Sequence, residues 1–165
     1  MSVTRDIVAT YKGPGRVVAR MVARGQREDR ALIILMVGCI MVFVAQWPRL
    51  ARQAYLTGEE LNMLLGGTLL AWLFIMPLLL YVMALVTHLG ARLFGGKGTG
   101  YGARLALFWA LLASSPVLLL HGLVAGFIGS GTALDGVGIL WLTLFGWFWI
   151  AGLIRIEWGG QSDPA

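Results

Sequence analysis

Residues 31–47, 61–87, 105–128 and 137–154 form four apolar runs that contain no Asp, Glu, Lys or Arg. The charged residues sit at their edges. A hydrocarbon core about 30 Å thick needs roughly 20 helical residues at 1.5 Å each. The middle two runs exceed that length and the outer two approach it. The pattern predicts an all-α fold: an integral membrane bundle of four transmembrane helices. It divides the chain into a basic arm (1–30), a transmembrane domain (31–156) and a polar tail (157–165).

The runs also carry their own punctuation. Trp47-Pro48 predicts the end of the first span, with an interfacial indole followed by a helix-stopping proline. Pro77 predicts a kink in the second. Asp135 is the expected N-cap of the fourth. The segments 49–60 and 89–104 read as loops.

The arm is broken at Gly13-Pro14-Gly15. Beyond the break, Arg16, Arg20, Arg24 and Arg27 share an arc of about 80° on a helical wheel. Val17, Val18, Met21 and Val22 fall opposite. This predicts an N-terminal interfacial amphipathic helix resting on anionic head groups. The competing reading is a frayed, solvated arm. Polar residues precede the first run, and no small-residue cleavage site follows it before Pro48, so a secretory signal peptide is not expected.

Composition agrees with a bilayer. The chain is 58% hydrophobic and 13% charged, with mean hydropathy +0.79; a soluble domain carries about 25% charged residues. Outside the spans too little chain remains for a soluble catalytic core. The 23 glycines suit close helix approach and the 7 tryptophans suit the bilayer interface. The net charge of +5 points to anionic lipid rather than nucleic acid. Of the 13 basic residues, all but Arg49 and Arg52 fall on one side of a four-span topology. The positive-inside rule then places both termini in the cytoplasm.

Candidate chemistry is sparse. Gly95-Gly96-Lys97-Gly98-Thr99-Gly100 invites a phosphate-loop reading, but glycine follows the lysine where Ser or Thr is required, and the flanks are apolar helices. A flexible basic turn is the plainer reading. Ala110, Ser114, Gly122 and Gly126 form a small-residue row, with GxxxG at its end. Packing within the chain is weighed there against dimerisation with another copy or another membrane protein. His121 is the possible intramembrane polar site, expected to bond Ser114, Ser115 or a carbonyl freed by Pro116, with proton or ligand binding as the alternative. His88 lies at the inner end of the second span. Cys39 is the only cysteine, so no intramolecular disulfide forms. No catalytic, metal or cofactor site is expected.

Residues 86–154 resemble the Yip-one domain family of multi-pass membrane proteins. The resemblance lies in the tail His88-Leu89-Gly90-Ala91-Arg92-Leu93, the turn Gly95-Gly96-Lys97-Gly98, Tyr101 and Arg104. It continues through Leu107-Phe108-Trp109-Ala110, Ser115-Pro116, Trp141 and Gly152-Leu153-Ile154-Arg155. The basic helix before Ala31 is similar to the segment leading into the first span of bacterial members. The resemblance implies a helical bundle without a catalytic centre. Members often have five spans; four are counted here. The expectation is a non-enzymatic scaffold or accessory subunit in a bacterial inner membrane. The alternative is a small transporter or channel subunit using His121.

Carbonate extraction of membranes tests the common premise. The chain is expected in the pellet; release into the supernatant contradicts a membrane-spanning fold.

Overall fold

The computed structural model describes residues 3–159, and these are helical with no strand among them. Two short helices, α1 (Val3–Thr10) and α2 (Pro14–Ala23), precede α3 (Glu28–Thr57). Then come α4 (Leu61–Leu70), a π-helical turn (Ala71–Ile75) and α5 (Met76–Leu93), which run on as one rod. Helices α6 (Gly100–Phe127) and α7 (Thr132–Glu157) complete the chain. Four segments are long and apolar enough to cross a membrane: Glu28–Thr57, Leu61–Leu93, Gly100–Phe127 and Thr132–Glu157. The protein is a multi-pass helical membrane protein.

Helix α6 is the axis of the bundle. Its residues Leu105, Ala106, Leu107, Phe108 and Trp109 are all essentially inaccessible, because α3, α5, α7 and the α1–α2 hairpin all pack against it. Leu35, Val42, Phe148 and Val18 fill the surrounding layer. The edge of Tyr81 meets Phe108 with ring centroids 5.0 Å apart.

Small residues set the α3–α6 contact. A Cβ built at Gly122 would overlap the Ala45 carbonyl oxygen, and one at Gly126 would overlap Pro48. Gly38 meets Leu111 on the same line. These pairings ascend both helices together, so α3 and α6 run parallel. The GxxxG pair therefore serves packing within the chain. Lipid tails are as apolar as the helices, so close backbone approach and its dispersion contacts are what hold such a pair together.

Several predicted boundaries move. Proline at position 48 does not end the first span: α3 continues to Thr57. One lost N–H is a small defect in a helix whose next turns bond normally, and the proline ring packs onto Gly126. Arg49 and Arg52 therefore lie on α3 rather than in a loop. Arg52 donates from Nη1 to the carbonyls of Gly126 (3.2 Å) and Phe127 (3.4 Å). It caps the end of α6, where carbonyls lack helical partners.

Pro116 does not divide α6. Pro77 follows the π-helical turn, where its missing N–H removes the bond that would close the preceding α-turn. Gly131, not Asp135, is the N-cap of α7; Asp135 lies in its first turn.

The Gly122 contact predicts that Gly122→Leu is strongly destabilising. The cost is about 1–3 kcal/mol or more, since backbone cannot yield as a side chain can. Gly66→Leu is the control, as nothing lies within 4 Å of its Cβ position. Thermal unfolding in detergent reads both; equal melting temperatures would remove the close-contact account.

Candidate functional site

The polar features gather at the end of the bundle that carries most of the basic residues. There the glycine-rich segment 95–100 has a defined job. Glu157, expected in a polar tail, is instead the last residue of α7 and has its side chain fully buried. Its Oε1 lies 2.6 Å from Nδ1 of His88 on α5, the ring N–H donating to the carboxylate. Its Oε2 accepts from the Gly98 N–H at 3.0 Å. Its backbone oxygen accepts from the Lys97 N–H at 2.8 Å.

The glycines make this possible. Cβ atoms at Gly96 and Gly98 would come within 2.7 and 2.9 Å of Glu157 Oε2. Gly95 takes a φ of +82°, a left-handed conformation that favours glycine. Thr99 then caps α6, its Oγ1 accepting from Gly102 N at 3.2 Å. The segment is a carboxylate cradle that ties α5, α6 and α7 together, rather than a loose turn. A buried carboxyl group is tolerable only when its oxygens find partners, and both do here.

A second polar tie joins Arg104 of α6 to Glu28 at the start of α3. This pair is partly exposed, so solvent screening leaves it a small contribution.

The α1–α2 hairpin forms the third feature. Thr10 Oγ1 accepts from Trp109 Nε1 at 2.9 Å and donates to Asp6 O at 2.7 Å. Tyr11 Oη donates to the Ala113 carbonyl at 3.2 Å, and its ring meets Phe148 edge-on at 5.0 Å. Burial pushes the Tyr11 phenol above its ordinary pKa. Ala113 lies roughly 20 Å along α6 from its start at 1.5 Å per residue. The arm is thus built into the bundle.

Helix α2 spans only part of the predicted basic row. Its apolar residues Val17, Val18 and Met21 are buried against α7 and α6. Arg16 and Arg20 are exposed on the other face. Arg24 is the C-cap, Gly25 turns the chain with φ +100°, and Arg27 is the N-cap of α3. Arg20 has Asp6 at 4.0 Å, and Arg27 has Asp29 at 3.9 Å.

The small-residue row divides. Ala110 and Ser114 are buried in the core; Gly122 and Gly126 face α3. Ser114 Oγ donates to Leu111 O (3.1 Å) and accepts from Trp141 Nε1 (3.2 Å). Of the partners expected for His121, the Ser114 hydroxyl is the one that pairs with tryptophan. His121 is half-buried, with its ring beside Gly138 of α7. His88 and His121 do not meet in a shared site, and no group of three or more potential metal ligands occurs among the described residues. Cys39 is free and buried.

The chain matches no family model, no curated protein and no solved structure.

The cradle yields a graded prediction. Glu157→Ala leaves His88 and Gly98 N–H without their buried acceptor and should cost about 1–3 kcal/mol for each orphaned donor. Glu157→Gln keeps an acceptor oxygen and should cost less. Gly98→Ala should resemble Glu157→Ala. Chemical unfolding in mixed micelles reads the order; an alanine variant as stable as the glutamine variant would deny the carboxylate its structural role.

Proposed function

We propose that this chain is a non-enzymatic scaffold or accessory subunit of a bacterial inner membrane, of the Yip-one type. Both termini face the cytoplasm, following the distribution of basic residues. Its partners are anionic lipid and other membrane proteins or a second copy of itself, not nucleic acid. Arg16, Arg20, Arg24 and Arg27 form the membrane-facing basic surface, so α2 works as an interfacial amphipathic helix whose apolar side grips the bundle.

The observation that carries this reading is the filled centre of the bundle. Phe108, Trp109, Leu105 and Leu107 occupy the space that an internal pathway would need. Work is then left to the outer surfaces. Those surfaces are rich in exposed apolar groups, including Leu78, Leu79, Val82 and Val86 on α5 and Ile139, Leu142 and Ile150 on α7.

Proteoliposomes test it. Purified protein is expected to conduct no ion or small solute above the empty-vesicle rate, while crosslinking in native membranes recovers a stoichiometric membrane partner or a second copy. A flux that His121→Ala abolishes, without loss of folding, would replace the scaffold with a transporter. Orientation is read separately: a Ser130→Cys reporter in a Cys39→Ser background should label only from the periplasmic face.

A further inference from the structure

Between the start of α2 and the end of α7 lies an open groove of about 610 Å³. Gly13, Pro14, Gly15 and Arg16 form one wall; Ala151, Ile154, Arg155, Trp158 and Gly159 form the other. Its depth comes from missing side chains. A Cβ at Gly15 would stand 3.0 Å from the Ala151 carbonyl oxygen, so the two helices nearly touch at the floor. The Arg16 guanidinium folds back over Gly13, with Nε 2.8 Å from where a Cβ would stand there.

The groove pairs charge with grease in a particular way. Two guanidinium groups, Arg16 and Arg155, line it, and neither has a carboxylate within ion-pair distance among the described residues. The nearby acids are committed elsewhere: Asp6 lies by Arg20, and the Glu157 carboxylate is held by His88 and Gly98. Ile154, half-exposed, continues the apolar outer face of α7 that includes Ile150 and Trp147. Trp158 borders the groove, its Nε1 donating to the Phe94 carbonyl at 3.4 Å. An indole at a helix end is the usual marker of head-group level.

We propose that this groove binds one anionic phospholipid, with its phosphate between Arg16 and Arg155 and an acyl chain along Ala151 and Ile154. Arginine suits the role because its fork of donors matches phosphate oxygens. A soluble phosphate would leave the apolar wall unused; a lipid uses both parts. The proposal rests on the membrane-embedded reading above and adds a discrete site to a diffuse basic surface.

The test uses the full chain in neutral detergent, with lipid retention followed by native mass spectrometry and stabilisation by thermal melting. Phosphatidylglycerol, phosphatidylethanolamine and glycerol phosphate are the probes. One phosphatidylglycerol per chain should be retained, and the other two should bind far more weakly. R16Q/R155Q should weaken retention about tenfold or more. R16K/R155K should recover part of it, and R92Q, an exposed charge at the same end, should change it less than about twofold. Ile154→Gln keeps both charges and should weaken the lipid but not glycerol phosphate, which separates the site from any folding defect of the arginine variants. Equal loss in R92Q, equal retention of phosphatidylethanolamine, or glycerol phosphate binding as tight as the lipid would each overturn the site. A chain that stays in the carbonate pellet yet retains no phosphatidylglycerol overturns the site alone and leaves the scaffold reading standing.

Discussion

The structure depends on how closely α3 and α6 can approach. In water, burying apolar side chains would drive the helices together at about 25 cal/mol per Å². In lipid that force vanishes, because the alternative neighbour is equally apolar. What remains is shape. Gly122 and Gly126 let the α3 backbone near Ala45 and Pro48 lie against α6, and that contact sets the parallel axis on which α5, α7 and the hairpin are arranged. The same contact brings Arg52 to the orphan carbonyls at the end of α6. One pair of glycines thus settles both a packing seam and a cap.

Polar groups face the complementary constraint: in a medium without water a group without a partner in the protein is costly. Glu157 has three contacts, to His88, Gly98 and Lys97, and Thr10 relays between Trp109 and the α1 backbone. These ties lie toward one end of the bundle, while the opposite end is held by Arg52. The middle of the bundle is mostly apolar, with Ser114 paired to an indole donor and Tyr11 to the Ala113 carbonyl, and with Trp149 Nε1 a buried donor that has no partner among the described residues. The division explains how a chain with few charged residues can still specify one arrangement of four similar apolar rods.

Much of this was legible in the residue pattern, and the reasons for the exceptions are physical. The four spans stand out because a charge at bilayer depth is costly, so their number follows from counting uncharged runs. Their ends do not stand out, because helices run past the hydrocarbon. Helix α3 continues through Pro48 for this reason, and Asp135 sits inside α7 instead of before it. The arm hid its tertiary role. Val17, Val18 and Met21 mark an apolar face equally well whether lipid or protein covers it, and only Tyr11 and Thr10, polar and off that face, record the docking on α6. Glu157 was missed because it lies just past the last apolar run, where acids are commonplace. A signal existed nonetheless: so many glycines in 95–100 call for a close neighbour, and the fold supplies it in the end of α7.

The π-helical turn at Ala71–Ile75 gives the longest rod an uneven thread. A turn of that kind accommodates about one extra residue, so it offsets every side chain beyond it by roughly 100° relative to those before it. On the far side lie Leu80, Ala84, His88 and Ala91, the only residues of α5 that are buried. Were the rod wound evenly, with α4 held where it is, that whole file would swivel away from α6, and the imidazole would leave its carboxylate. A distortion near the midpoint of a greasy helix is therefore what dials in an electrostatic latch several turns away, and proline at position 77 is the part of the sequence that keeps the dial from slipping back.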